Sequence, residues 1–355
     1  MSTFIEADRP PAIAERTAAV IAGRRRRVRR HAVVTSILGV AIVGVFLVSL
    51  MVGKSFYGLD EVARVVLGET VPGASFTVGE LRLPRASLAV LAGFAFGAAG
   101  VTFQTMLRNP LASPDIIGIT SGASAAAVFG IVVLSLSETL VALLAVLGGL
   151  ATALAIYLLS NKGGFTGTRL ILIGIGVAAM LDAAVTYTLS KAAVWDLQSA
   201  LRWLAGSLNG ATWSMVVPLA LASAVLVPIL LAQGRGLGVM RIGDDAAASL
   251  GVRLNATRVI AIVAAVTLLA FATAATGPIA FVAFMAGPIA ARIVGPGASL
   301  LLPSGLVGAL LVLVADLLGQ FAFDTRYPVG VVTGVLGAPY LIYLLIRMNR
   351  SGGSL

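Results

Sequence analysis

A chain of 355 residues, 59% hydrophobic and only 11% charged, with a mean hydropathy of +1.01, lies far from soluble composition and is predicted to be an all-α polytopic membrane protein. The absence of cysteine excludes disulfides, thiolate metal ligands and cysteine nucleophiles. A single histidine, His31, leaves little room for histidine metal sites or Ser-His-Asp catalysis. The net charge of +10 does not argue for nucleic acid, because most basic residues lie where membrane insertion needs them.

Residues 1–30 read as a basic cytoplasmic tail whose first 23 residues, polar and Ala-rich, are expected to be loose. Arg24–Arg27, Arg29 and Arg30 close it, either as a topology anchor or as a patch for anionic membrane lipid, each basic residue near the surface contributing ~1 kcal/mol. The apolar run that follows lacks a small-x-small cleavage site, unlike a signal peptide. From there to residue 348 the chain reads as one transmembrane domain of about ten spans. They fall near 33–52, 87–107, 116–134, 138–160, 169–190, 212–232, 257–276, 278–294, 300–320 and 329–347, with 349–355 as a cytoplasmic tail.

The second and third spans form a hairpin. The polar link Arg108-Asn109-Pro110-Leu111-Ala112-Ser113-Pro114-Asp115 joins them, and its two prolines forbid one continuous helix. Gly93-x-x-x-Gly97 with Gly100, and Gly174 with Gly176, are small-residue patterns that let helix backbones approach where lipid offers no hydrophobic drive. Asp182 and Asp316 lie at membrane depth, where a charge costs on the order of 2.5–3.5 kcal/mol, so each must face protein, water or a partner. They read either as a proton or cation relay or as helix-capping or interhelical hydrogen-bonding groups.

The longest link, about 233–256, contains a glycine, an acidic helix start and a glycine stop: Gly243-Asp244-Asp245 through Ser249-Leu250-Gly251. A short surface helix there is either an ordinary connector or a docking element. The span at 278–294 is interrupted by Pro278, Gly287 and Pro288, a pattern tolerated where a broken helix packs on protein or lines a cavity. With the N-terminus inside, inside segments hold eighteen of the 25 basic residues, Lys162 among them, so both termini are expected to be cytoplasmic. Gly53-Lys54-Ser55 lacks the upstream glycine of a nucleotide-binding loop, so ATP hydrolysis by this chain is not expected.

Several strings, in order, carry a family resemblance: Leu81-Arg82-Leu83-Pro84-Arg85, the 108–115 link, Ala205-Gly206-Ser207-Leu208-Asn209-Gly210, Gly243-Asp244-Asp245 with Ser249-Leu250-Gly251-Val252, Gly277-Pro278-Ile279-Ala280-Phe281-Val282 and Pro328-Val329-Gly330-Val331-Val332-Thr333. Over about 33–348 the chain resembles the FecCD family, the permease subunits of binding-protein-dependent ABC importers for iron(III)-siderophores, haem and vitamin B12. Leu170–Val177, the Gly-Ser-Leu-Asn-Gly run and Ala315-Asp316-Leu317-Leu318-Gly319-Gln320 look most like the G-type permease subunit of ferric enterobactin importers.

The resemblance implies a type II ABC-importer fold in the bacterial cytoplasmic membrane. It also implies a non-enzymatic permease paired with a second permease, two cytoplasmic ATPases that bind ATP and Mg, and an external siderophore-binding protein. Arg241, Gly243, Asp244, Asp245, Ser249, Leu250 and Gly251 would couple to the ATPase, and Arg82 and Arg85 would dock the binding protein. Within that scheme, Thr102, Gln104, Met106 and Ser124 are candidates for the translocation path. Departures stand at Gly287-Pro288-Ile289-Ala290-Ala291, where many members have a histidine after the proline, and at Gln320 and Arg326, where many have arginine and glutamate. The last two, together with the G-type resemblance, favour a heterodimer. An ion-coupled secondary transporter of small solutes is the competing class, but it requires buried ion ligands in related halves.

Overall fold

The computed structural model describes residues 13–350 apart from Ile116, residues 162–166 and Ala298; the remainder of both expected tails, and Lys162, lie outside the described residues. Among the described residues there is no strand. Eight helical segments are long and apolar enough to cross a membrane, and two shorter apolar helices complete the set of ten.

The first helix, α1 (Ile13–Met51), has 39 residues and so extends ~58 Å, almost twice the ~30 Å of a hydrocarbon core. The expected loose tail is therefore helical from Ile13 onward. Alanine and arginine are strong helix formers, and the segment grows from an apolar span that already supplies a helical nucleus. The base of α1 is pinned by its own cations. Arg30 donates from Nε and Nη2 to the Ile293 carbonyl at 3.1 and 3.0 Å, and His31 Nε2 lies 3.1 Å from the Ser299 carbonyl.

After α2 (Leu59–Val66), a π-helical segment (Ser75–Arg82) runs directly into α3 (Leu83–Met106), whose start lies upstream of the expected 87 because Pro84 fits a first helical turn. Helix α3 is the centre of the molecule. It packs against α8 (Trp213–Met240), α10 (Leu254–Thr276), α11 (Val282–Val294) and α12 (Leu301–Phe321). A Cβ added at Gly93, Gly97 or Gly100 would run into the backbone of Gly308, Ser304 or Ala283 respectively, so these glycines set the α3–α12 and α3–α11 spacing. Gly174 meets the Ile117 carbonyl in the same way, whereas Gly176 has open space around it.

Helix α4 (Ile119–Val132) is only 14 residues, ~21 Å, and α11 only 13, so neither crosses alone. Both are entered through irregular backbone: Gly118 and Phe281, the residues before them, are left-handed, with φ of 90° and 63°. Helices α5 (Glu138–Ser160), α6 (Gly167–Ser190) and α13 (Val329–Arg350) complete the spans. Two further departures from the sequence reading appear. The segment between spans five and six contains an amphipathic helix, α7 (Val194–Leu204). Helix α8 continues to Met240, past the expected end at 232, because Gly234 and Gly236 pack close to Ser299 and Thr257 instead of breaking the helix. The link expected over 233–256 thus shrinks to 241–253, enclosing α9 (Asp244–Ser249).

Candidate functional site

Helix α9 sits between two backbone reversals. Gly243 has φ 119° and ψ 154°, a region essentially reserved for glycine, and Gly251 has φ 85°. Ala247 is fully buried and seats the helix, while Ile242 and Leu250, at 65% and 67% exposed, flank it as apolar projections. Arg241, Asp245 and Ser249 are also exposed, with the Ser249 hydroxyl donating to the Ala246 carbonyl at 2.9 Å.

Asp244 turns the other way. Its Oδ1 accepts a short hydrogen bond from Arg108 Nη2, and its Oδ2 one of 2.5 Å from Arg258 Nη2. The structure therefore brings together two motifs read separately in the sequence, the 108–115 link and the 243–251 helix, 136 residues apart. Arg258, one turn into α10, was missed; its only sequence signal is a lone basic residue at the start of an apolar span.

The 108–115 link is built from local hydrogen bonds. Arg108 N–H donates to the Thr105 carbonyl and Asn109 N–H to the Gln104 carbonyl, the paired pattern that closes a helix, with Arg108 at φ 51° where glycine is usual. Asn109 Oδ1 then accepts from Leu111 N–H at 2.9 Å across Pro110. Beyond Pro114, Asp115 receives the Thr120 hydroxyl at 2.6 Å. Burial pushes the Asp115 carboxyl up from its ordinary value, with the Thr120 and Ser113 hydroxyls pulling partly back.

Asp115 also lines a cavity of about 430 Å³ together with Ser113, Thr120, Ser121, Ser124 and Asp182, closed on another side by Phe281, Phe284 and Leu341. Ser124, 8% exposed, is the one path candidate that lines this cavity. Thr102, Gln104 and Met106 are buried inside the bundle: Thr102 donates to Ala98 O at 2.7 Å, and Gln104 Nε2 donates to Phe284 O at 3.0 Å, tying α3 to α11. In the single chain these three occupy packing positions, because α3 is surrounded by neighbouring helices; Thr102 also borders a small cavity with Thr105 and Arg241. Helix α6 presents a bare surface next to the cavity, with only Leu170 and Gly174 buried.

At the opposite end, Arg82 donates to the carbonyls of Leu50, Met51 and Ser55 at 2.8, 2.9 and 2.6 Å, with its guanidinium over the Tyr57 ring. Arg85 donates to both carboxylate oxygens of Asp316 and to Asn209 Oδ1. Both arginines therefore hold internal acceptors, and Asp316 is an interhelical partner, as one of its two sequence readings had it. Among the described residues no group of three or more His, Asp or Glu side chains is placed to hold a metal ion.

Comparison with known proteins follows the same outline. The model of the FecCD transport family matches residues 40–347. The ferric enterobactin transport system permease protein FepG of Escherichia coli (strain K12) is 41% identical over 295 residues, covering 82% of this chain and 88% of its own. The achromobactin transport system permease protein CbrC of Dickeya dadantii (strain 3937) is 41% identical over 313 residues, covering 87% and 90%. A solved structure described as an inward-facing conformation of a metal-chelate type ABC transporter superposes with a TM-score of 0.79 at 26% identity, covering 88% of this chain and 98% of that one. With ten apolar helices among its described residues, the α9 link and a family match over residues 40–347, the chain belongs to the FecCD transport family.

Proposed function

We propose that this chain is one permease half of an ABC importer that carries an iron(III)-siderophore across the bacterial cytoplasmic membrane, powered by separate ATPase chains. The presentation of α9 carries this reading: a short helix held out between Gly243 and Gly251, with Ile242 and Leu250 projecting, is suited to insertion in a partner's cleft. Arg30, Arg108, Arg241, Arg253, Arg258 and Arg292 surround that end, which supports a cytoplasmic location for it and for both termini.

The bare face of α6 and the hydroxyl-lined cavity are the surface on which a second, non-identical permease closes, leaving the path between the two subunits. Its wall is mainly apolar with scattered hydroxyls, which suits a bulky chelate that must not be trapped. At the opposite rim, Arg82 and Arg85 hold the loops that receive the loaded binding protein. Direct pairing with that protein's acids would compete with Asp316 and the Leu50–Ser55 carbonyls, so docking draws on the whole rim and shows as a salt-dependent association rate.

The test is uptake of labelled iron presented with a panel of catecholate, hydroxamate and carboxylate siderophores, in cells with and without the gene. Loss of uptake for at least one chelate, restored by the gene, is expected. Purified chain that moves solute into vesicles on an ion gradient, without an ATPase, would place it among secondary transporters instead.

A further inference from the structure

We infer that Asp244 is a positioning residue: with Arg108 and Arg258 it locks α9 to the ends of α3 and α10, while the contacts of α9 with its ATPase fall to Ile242, Asp245 and Leu250. The inference rests on the permease reading above and reassigns one residue within it.

Three observations meet at this carboxylate. Each oxygen is taken by a guanidinium from a different helix end, Arg108 from the close of α3 and Arg258 from the first turns of α10. The Arg258 side chain is only 9% exposed, while those of Asp244 and Arg108 are 39% and 42% exposed, so the carboxylate lies at the edge of the bundle with one oxygen drawn to a buried cation. Arg108 is held at φ 51°, a conformation that disfavours a side chain and that glycine would satisfy better; what the arginine adds at that position is its reach to Asp244.

The geometry has a mechanical meaning. Helix α9 joins α8 and α10 through two glycine reversals and is seated by Ala247, whose single methyl gives little hold against sliding. A carboxylate shared by two planar, multi-donor guanidiniums adds a directional restraint. Through Arg108 the restraint reaches α3, which packs against α8, α10, α11 and α12, so a push on α9 is delivered to the centre of the subunit. That leaves Ile242 and Leu250, which flank α9, and Asp245 on it exposed toward the partner.

The assembled importer, purified with its ATPase and reconstituted in lipid vesicles, gives the test. Co-purification, Mg-ATP hydrolysis and siderophore uptake are measured for the wild type and for Asp244→Asn, Asp244→Glu, Arg108→Gln, the Asp244→Asn/Arg108→Gln double variant and Leu250→Ser. Asp244→Asn and Arg108→Gln should keep the ATPase bound and hydrolysing but cut uptake by about tenfold, within the range by which network substitutions change coupling. The double variant should lose no more than either single one, because the residues act as a unit. Asp244→Glu should restore most uptake, and Leu250→Ser should lose the ATPase itself. Loss of the ATPase from Asp244→Asn comparable to that from Leu250→Ser would make Asp244 a direct contact and overturn the inference. Unchanged uptake per ATP in Asp244→Asn would overturn it equally. A wild-type chain that brings down no ATPase would defeat the permease reading, a result distinct from either.

Discussion

Arg85 grips Asp316 with two parallel hydrogen bonds, Nε to Oδ2 at 2.9 Å and Nη2 to Oδ1 at 2.8 Å, joining α3 to α12 across 231 residues of sequence. Gln320 adds a third bond to the same carboxylate at 2.8 Å. Asp316 is only 8% exposed and Arg85 18%. Removing one partner of such a pair leaves the other desolvated, so Asp316→Ala should lower stability by about 3 kcal/mol. Asp316→Asn, which keeps an acceptor for Arg85, should lose less. Reversible denaturation in mixed micelles measures both, and a wild-type curve for Asp316→Ala would show that the pair does not hold α3 to α12.

The glycines of the spans divide by surroundings. Gly100→Val should be poorly tolerated, because its side chain would enter the Ala283 backbone and force α3 and α11 apart; overpacking costs about 1–3 kcal/mol even where only side chains are displaced. Gly176→Ala should be neutral or slightly stabilising in the isolated chain, since nothing lies near the added methyl and alanine favours the helix. Thermal melts of the two variants in one detergent compare them directly.

At Gly243 the strain is conformational rather than steric, for a Cβ there would meet open space. A side chain held at these angles would cost about 1–3 kcal/mol, so Gly243→Ala should relieve the strain locally, by re-aiming α9. Its effect is therefore expected in ATPase co-purification with little change in the melting temperature. Gly251, in the left-handed helical region, should accept asparagine better than valine.

The raised Asp115 carboxyl has a definite sign. An acid with a folded value above its unfolded one, about 3.9, favours the folded state when protonated. Its contribution is fully present below that unfolded value and is lost as pH rises through the higher folded value. Asp115→Asn, which can still accept the Thr120 hydroxyl, should therefore raise stability near neutral pH and flatten the dependence above pH ~4. Melting temperatures of both proteins from pH 4 to 7 make the comparison.

Much of this architecture was legible because a bilayer imposes a length. Runs of apolar residues gave the spans, and prolines with glycines marked the irregular entries to α4 and α11. What escaped notice was helical structure without continuous hydrophobicity: the Arg-rich start of α1, the amphipathic α7 and the glycine-bearing end of α8. The resemblance-bearing motifs located α9 and the 108–115 link, yet their union through Asp244 and Arg108 depends on how α3 and α8 lie side by side. No local pattern encodes that. The same holds for the burial of Thr102, Gln104 and Met106, which follows from the helices around α3 and not from any pattern in α3 itself.

The uncovered surface of α6 bears on how cells make this protein. A solitary copy would leave Asp182 on an exposed helix face at membrane depth, a placement that the bilayer penalises unless protein or water covers it. Under the proposed pairing with a second permease, a copy made without its partner should be shorter-lived in the membrane than one made with it.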